Sequence, residues 1–160
     1  MIDLDLAWAL VQFTKPTKAV MTLSPVLYVG DDKNDVLLMR CAWAKVGVSN
    51  PLQVVIDGEE ALRYLSGEGQ YANRADHPMP CLVLLDLKLP KLLGLDVLKW
   101  IREQTALLGL RVIVISSSKQ PQDINAAHAL GIDAYLVKPG PFDEWSAMVE
   151  KVNVYWLKGG

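Results

Sequence analysis

Four short apolar runs in the chain each end in a side chain able to do chemistry: Asp31 after Val26–Gly30, Asp86 after Leu82–Leu85, Ser116 after Val112–Ile115, and Lys138 after Ala134–Val137. Taken singly, each has an ordinary explanation. An aspartate at a strand end caps the next helix, a serine satisfies backbone groups, and a lysine is solvated. Brought together, two carboxylates, a hydroxyl and an ammonium make a divalent-cation and phosphate site. Asp31, Asp32 and Asp86 are hard oxygen donors of the kind Mg²⁺ takes, one or two at a time, with waters and phosphate oxygens completing its shell. With the cation bound, Asp86 can act as a nucleophile toward a phosphoryl group whose charge would otherwise repel it.

These residues can cooperate only if the chain brings them to one edge. From Pro25 onward, short continuous apolar runs, with Leu52–Ile56 as the fifth, alternate with stretches of helical periodicity. Runs rich in β-branched residues, with no polar alternation, read as strands of a parallel sheet covered on both faces, so the fold class is α/β. A first helix is predicted over Asn34–Val46 with Leu37, Leu38, Cys41 and Ala42 on one face, and a second over Gly58–Leu65. Leu95, Leu98 and Ile101 mark a third, and Ile124, Ala127 and Leu130 a fourth that Gly131 stops. A last helix carries Trp145, Met148, Val149, Val152 and Trp156 as a core-facing stripe. In an open parallel sheet all strands point the same way and ligands bind beyond their carboxyl ends, so the four chemical residues share one pocket.

A length of 160 residues allows one ordinary domain, placed over 25–158. Residues 1–24 fall outside the repeat and are expected to be a weakly ordered extension, with Met21 available as an alternative start. At 51% hydrophobic and 21% charged the chain is too apolar to be disordered, and a net charge of −2 gives no footprint for nucleic acid. No apolar run approaches the ~18 residues of a membrane span. Leu6–Val11 comes after Asp3 and Asp5 rather than basic residues and makes a poor signal peptide, so a cytoplasmic location is expected. Cys41 and Cys81 form no metal or redox motif and are expected to be buried free thiols. Residues 67–80 read as a long surface loop. Gly67–Ala72 within it resembles a dinucleotide loop but comes after a helix and precedes a strand, the reverse of what that loop needs. His77 and His128 lie away from the pocket and receive no catalytic role.

The segments Leu27-Tyr-Val-Gly-Asp-Asp32, Leu84-Leu-Asp-Leu-Lys-Leu-Pro90 with Gly94, Val114-Ile-Ser-Ser-Ser118 and Tyr135-Leu-Val-Lys-Pro139 occur at the right strand ends in the right order. In them, residues 25–157 resemble the receiver domains of two-component response regulators. That resemblance implies a flavodoxin-like (βα)5 doubly wound sheet with strand order 2-1-3-4-5. It also implies that a histidine kinase phosphorylates Asp86, and that Asp31, Asp86 and the backbone carbonyl of Lys88 bind Mg²⁺. Lys138 would pair with the phosphoryl group, Ser116 would move to hydrogen-bond it, Tyr135 would change rotamer on activation, and Lys138-Pro139 would be a cis peptide. Such a domain is a signalling switch in a phosphorelay rather than an enzyme, its only catalysis being its own phosphotransfer and dephosphorylation. Gly69–Pro80 and the terminal Tyr155-Trp156 bring the chain closer to the stand-alone regulators of bacterial and cyanobacterial phytochromes. This implies a phytochrome kinase as partner, an unknown downstream protein, a homodimer through the last strand and helix, and no output domain.

Two residues depart from the pattern. Receivers usually carry two adjacent acids after the first strand, the first holding a metal-bound water, and here Gly30 stands in the first place. Asp32 is a candidate auxiliary acid. The departure motivates a second reading, a degenerate receiver acting as a phosphate-independent interaction module. Leu93 likewise stands where an Asp often precedes the glycine. An aspartyl phosphotransferase wants Asp-x-Asp, whereas Lys88 comes after Asp86 at that spacing. A flavin carrier is disfavoured because Gly30–Asp35 would repel an unaided phosphate.

Overall fold

A computed structural model describes residues 23–158. Five parallel strands, β1 (Val26–Val29), β2 (Leu52–Val55), β3 (Leu82–Leu85), β4 (Arg111–Ser116) and β5 (Ala134–Val137), lie in the order β2-β1-β3-β4-β5, the flavodoxin-like order expected. Val26 is in register with Leu52 on one side and Leu82 on the other, so β1 is paired along both edges. The chain leaves β1 toward β2 and returns past it to β3, and right-handed crossovers then put helices on opposite faces. The strand order reverses between β1 and β3, which opens a crevice there.

The helices are α1 (Lys33–Val46), α2 (Gly58–Ser66), α3 (Gly94–Glu103), α4 (Pro121–Ala129) and α5 (Phe142–Val152), the last continuing as a wider π-helical stretch over Asn153–Lys158. Leu27, Val29, Val83, Leu85, Val112 and Val114 pack on α2, α3 and α4. Their neighbours Val26, Tyr28, Leu82, Leu84, Ile113 and Ile115 point the other way, onto α1 and α5. Burial on both faces explains why these strands read as unbroken apolar runs. The α5 stripe packs as predicted, with Trp145, Met148, Val149 and Val152 buried. Asp32 caps α1 by accepting from the Asn34 and Asp35 amides at 2.8 and 3.0 Å, and Gly47 ends it with φ 76°.

Several expectations are corrected. Leu37 is 59% exposed and Cys41 is exposed, because the α1 phase is set by Met39, Ala42 and Trp43 packing at i, i+3 and i+4 toward the sheet and α5. Cys81 is exposed as well, in the approach to β3, where its amide donates to Pro25 O at 3.0 Å. The Lys138-Pro139 bond is trans, since no cis peptide occurs among the described residues. The 67–80 segment is not a featureless loop. It makes a 3-10 turn at Gly69–Tyr71 and buries Tyr71 against Tyr64 and His77, with ring centroids 5.0 and 5.1 Å from that of Tyr71. Arg74 donates to the carbonyls of Tyr64, Leu65 and His77 at 2.7, 2.9 and 3.0 Å, satisfying the open C-terminal end of α2. The N-terminal extension, including Leu6–Val11 and Met21, lies outside the described residues except for Leu23 and Ser24.

Candidate functional site

The crevice beyond β1 and β3 gathers carboxylates from two loops and one helix. Asp86 directly succeeds β3, its amide donates to Val29 O at 3.0 Å, and it is only 3% exposed. The loop after it returns tightly: the Gly94 amide donates to Leu87 O at 3.0 Å, and a Cβ on Gly94 would collide with the Asp86 carbonyl and the Leu87 Cα. Only glycine lets α3 begin so close behind the Asp86 backbone.

Asp86 is bonded through both oxygens. Oδ1 accepts from the Lys88 amide at 3.0 Å, and Oδ2 accepts from Lys138 Nζ at 2.6 Å. Lys138 is carried by the end of β5, where its amide extends the ladder to Ser116 O at 2.9 Å. Its ammonium also reaches Asp35 Oδ2 at 2.6 Å. Burial works against the lysine charge, but the hydrogen bonds and charges of Asp35 and Asp86 outweigh it and raise the lysine pKa.

Of the residues named from sequence, Asp86 and Lys138 are thus in direct contact. Asp31 is exposed in the turn after β1, and Asp32 spends one carboxylate oxygen on capping α1. Ser116 is fully buried with its Oγ accepting from the Ser118 amide at 3.1 Å, and Tyr135 Oη donates to Ser118 O at 2.8 Å. The Lys88 side chain is exposed, and its amide holds Asp86.

Sequence reasoning missed Asp35. It sits in the first turn of α1, three residues after the cap, and that position on the sheet side of a helix start was the available signal. It also passed over the end of β2, where Asp57 is 6% exposed, caps α2 through the Glu60 amide at 2.7 Å and pairs with Lys91 at 3.5 Å.

Electrostatically the corner is acidic. Tyr28 lies beneath it with its phenol pKa raised, first by burial and then by the charges of Asp35, Asp86, Asp32 and Asp31. Four carboxylates close enough to act on one phenol, with Lys138 as the ammonium bonded among them, leave an excess of negative charge that suits a divalent cation. Among the described residues no three His, Cys, Asp or Glu side chains converge as a closed metal cage. A donor set with few protein ligands is the kind that Mg²⁺ takes, keeping its waters and leaving room for phosphate oxygens.

The family model of the response regulator receiver domain matches residues 26–150. The chain is 32% identical over 133 residues to response regulator Rcp1 of Synechocystis sp., covering 83% of this chain and 88% of that protein. It is similar to the crystal structure of the phosphorylated cyanobacterial phytochrome response regulator RcpA, with 34% identity, a TM-score of 0.79, and 86% and 96% of the two chains covered. The Mn²⁺-bound form of Rcp1 gives 30% identity, a TM-score of 0.78 and coverage of 86% and 97%.

Proposed function

The chain belongs to the response regulator receiver family, and on that premise we propose that it accepts a phosphoryl group on Asp86 from a histidine kinase and signals through protein contacts. The observation that carries this reading is the buried Asp86 carboxylate held at 2.6 Å by Lys138. Such a group is positioned, paired and shielded, as an aspartyl nucleophile must be. In the transfer, the phosphorus–nitrogen bond of a kinase phosphohistidine breaks, an Asp86 oxygen bonds to phosphorus, and the imidazole leaves with a proton. Mg²⁺ held by Asp31, Asp86 and the Lys88 carbonyl would offset the charge that accumulates, with Asp32 beside it as an auxiliary acid. Lys138 pairs with the phosphoryl oxygens and loosens its hold on Asp35. Ser116 turns from the Ser118 amide toward the same oxygens, and this rearrangement of the turn carries Tyr135 with it, because its hydroxyl is bonded to Ser118.

The similarity to RcpA supports a phytochrome as the kinase, with the protein working in the cytoplasm beside it. Val137 and Tyr155, exposed by 42 and 69%, border one groove between β5 and the last helix with Leu136, Met148 and Trp156, an apolar face that suits a second copy of the chain. Among the described residues no helix is long and apolar enough to cross a membrane. Intact-mass spectrometry after acetyl phosphate treatment tests the core of the proposal. A Mg²⁺-dependent adduct on the wild type that is absent from Asp86→Asn supports it. No wild-type adduct favours the degenerate receiver, the reading that Gly30 motivates.

A further inference from the structure

Tyr28 and Gly30 occupy the same space. Tyr28 is on β1 with its ring toward α1 and α5, and it is 0% exposed. A Cβ placed on Gly30 would lie 2.9 Å from Tyr28 Cζ and 3.0 Å from its Oη, so the end of the buried ring would have to shift to admit one. Position 30 is therefore filled from below by the end of a tyrosine. That end is polar, and its hydroxyl finds no hydrogen-bond partner among the described residues. A phenylalanine would fill the same volume without burying an unsatisfied hydroxyl, which is destabilising in itself. The group nevertheless stands under a corner where Asp31, Asp32, Asp35 and Asp86 all act on it.

Building on the metal site proposed above, we infer that the Tyr28 hydroxyl replaces the acid missing at position 30, accepting a hydrogen bond from a water in the hydration shell of the divalent cation. Three observations carry this: the crowding between the end of the Tyr28 ring and any residue-30 side chain, the complete burial of the ring, and the buried, unpartnered hydroxyl beneath the acidic corner. Burial and the surrounding carboxylates keep the phenol protonated, so its oxygen faces that water as a neutral acceptor. The exchange has a chemical consequence. A neutral hydroxyl in place of a carboxylate lowers the negative charge facing both ligands, so the site holds its cation less tightly but repels an incoming phosphoryl group less. Tyr28 is a positioning residue here, acting through water on the cation and not on the transferred group.

Isothermal titration with Mg²⁺ alone, with no phosphodonor, tests this on wild type, Tyr28→Phe, Gly30→Asp and the double variant Tyr28→Val/Gly30→Asp, alongside the melting temperature of each metal-free protein. Tyr28→Phe should weaken Mg²⁺ binding by about tenfold while its metal-free melting temperature stays equal to or rises above that of wild type. A merely structural hydroxyl would lower the melting temperature and leave binding unchanged. Gly30→Asp alone should melt lower and bind Mg²⁺ no tighter, because the ring is in its way, whereas the double variant should bind tighter than wild type. Equal Mg²⁺ affinity in wild type and Tyr28→Phe, or tighter binding by Gly30→Asp without loss of melting temperature, overturns the role of Tyr28 and leaves the metal site standing. A wild-type protein that binds no Mg²⁺ overturns both.

Discussion

Asp35 and Lys138 are 103 positions apart in the chain, yet carboxylate and ammonium meet at 2.6 Å, and the same ammonium holds Asp86 at the same distance. One cation therefore ties the start of α1 and the end of β3 to the end of β5. Lys138→Met removes it and leaves two carboxylates facing each other, one of them buried. The variant should lose about 2–3 kcal/mol of stability, less than a fully buried pair because Lys138 and Asp35 retain some solvent contact. Urea denaturation measures the loss, and added Mg²⁺ should recover more of it in the variant than it adds to wild type.

The raised pKa of Lys138 sets the pH range of that contribution. A lysine whose folded pKa lies above its ordinary value of 10.5 contributes in full below that value and loses its contribution as pH climbs through the folded pKa. The stability gap between wild type and Lys138→Met should stay level from neutral pH to about 10 and close above it. A gap that already narrows near neutral pH would show that the lysine does not hold its proton as described.

At Gly94 the backbone of Asp86 leaves no room for a methyl group. Gly94→Ala should destabilise the domain by about 2–3 kcal/mol, because the obstructing atoms are main chain and cannot swing away. It should also slow acetyl phosphate labelling, since relieving the contact displaces the loop that carries Asp86. Chemical denaturation and a labelling time course check the two effects separately.

Arg74 closes the end of α2 through the carbonyls of Tyr64 and Leu65 and ties it to His77 through a third. Arg74→Ala should remove about 2 kcal/mol, in line with charged hydrogen bonds left unmade. Hydrogen exchange should show faster opening at the α2 C-terminus and around Tyr71, with β4 and β5 unchanged.

If the face formed by Val137 and Tyr155 covers a second copy, a charge at its more exposed member should split the pair. Tyr155→Glu should sediment as a monomer at a concentration where wild type is a dimer, with an unchanged denaturation midpoint for the monomer. Wild type that already sediments as a monomer at micromolar concentration removes the proposal.

Much of this arrangement was legible in the sequence. Apolar runs, interrupted only by Gln53 in β2 and Arg111 at the start of β4, marked the five strands, and the residues at their carboxyl ends included Asp86 and Lys138, because a parallel sheet delivers its strand ends to one edge. The misses share a cause. Asp35 lies inside a helix, and only the docking of α1 beside β1 aims it at Lys138. The α1 face was misjudged because Leu37, Cys41 and Ala42 make as good a stripe on paper as Met39, Ala42 and Trp43, and the partner helix α5 decides between them. Gly30 read as a loss when taken alone. Its meaning depends on Tyr28, two residues back on the same strand, whose ring bends up into the space Gly30 leaves. The Tyr64, Tyr71 and His77 cluster was hidden in a polar stretch whose composition resembles that of a loop.

The position of Lys138 at the end of the last strand also has a consequence for how the protein is made. The acidic corner belongs to the first part of the chain, while its ammonium is placed 52 residues beyond Asp86. At ordinary rates of translation that is a delay of roughly 3–10 s. During that interval any native-like pairing of β1 with β3 brings Asp35 and Asp86 together with only dissolved cations to offset them. Charge balance at this corner thus comes only with β5, and until that strand arrives, magnesium in solution is the natural substitute for a lysine not yet synthesised.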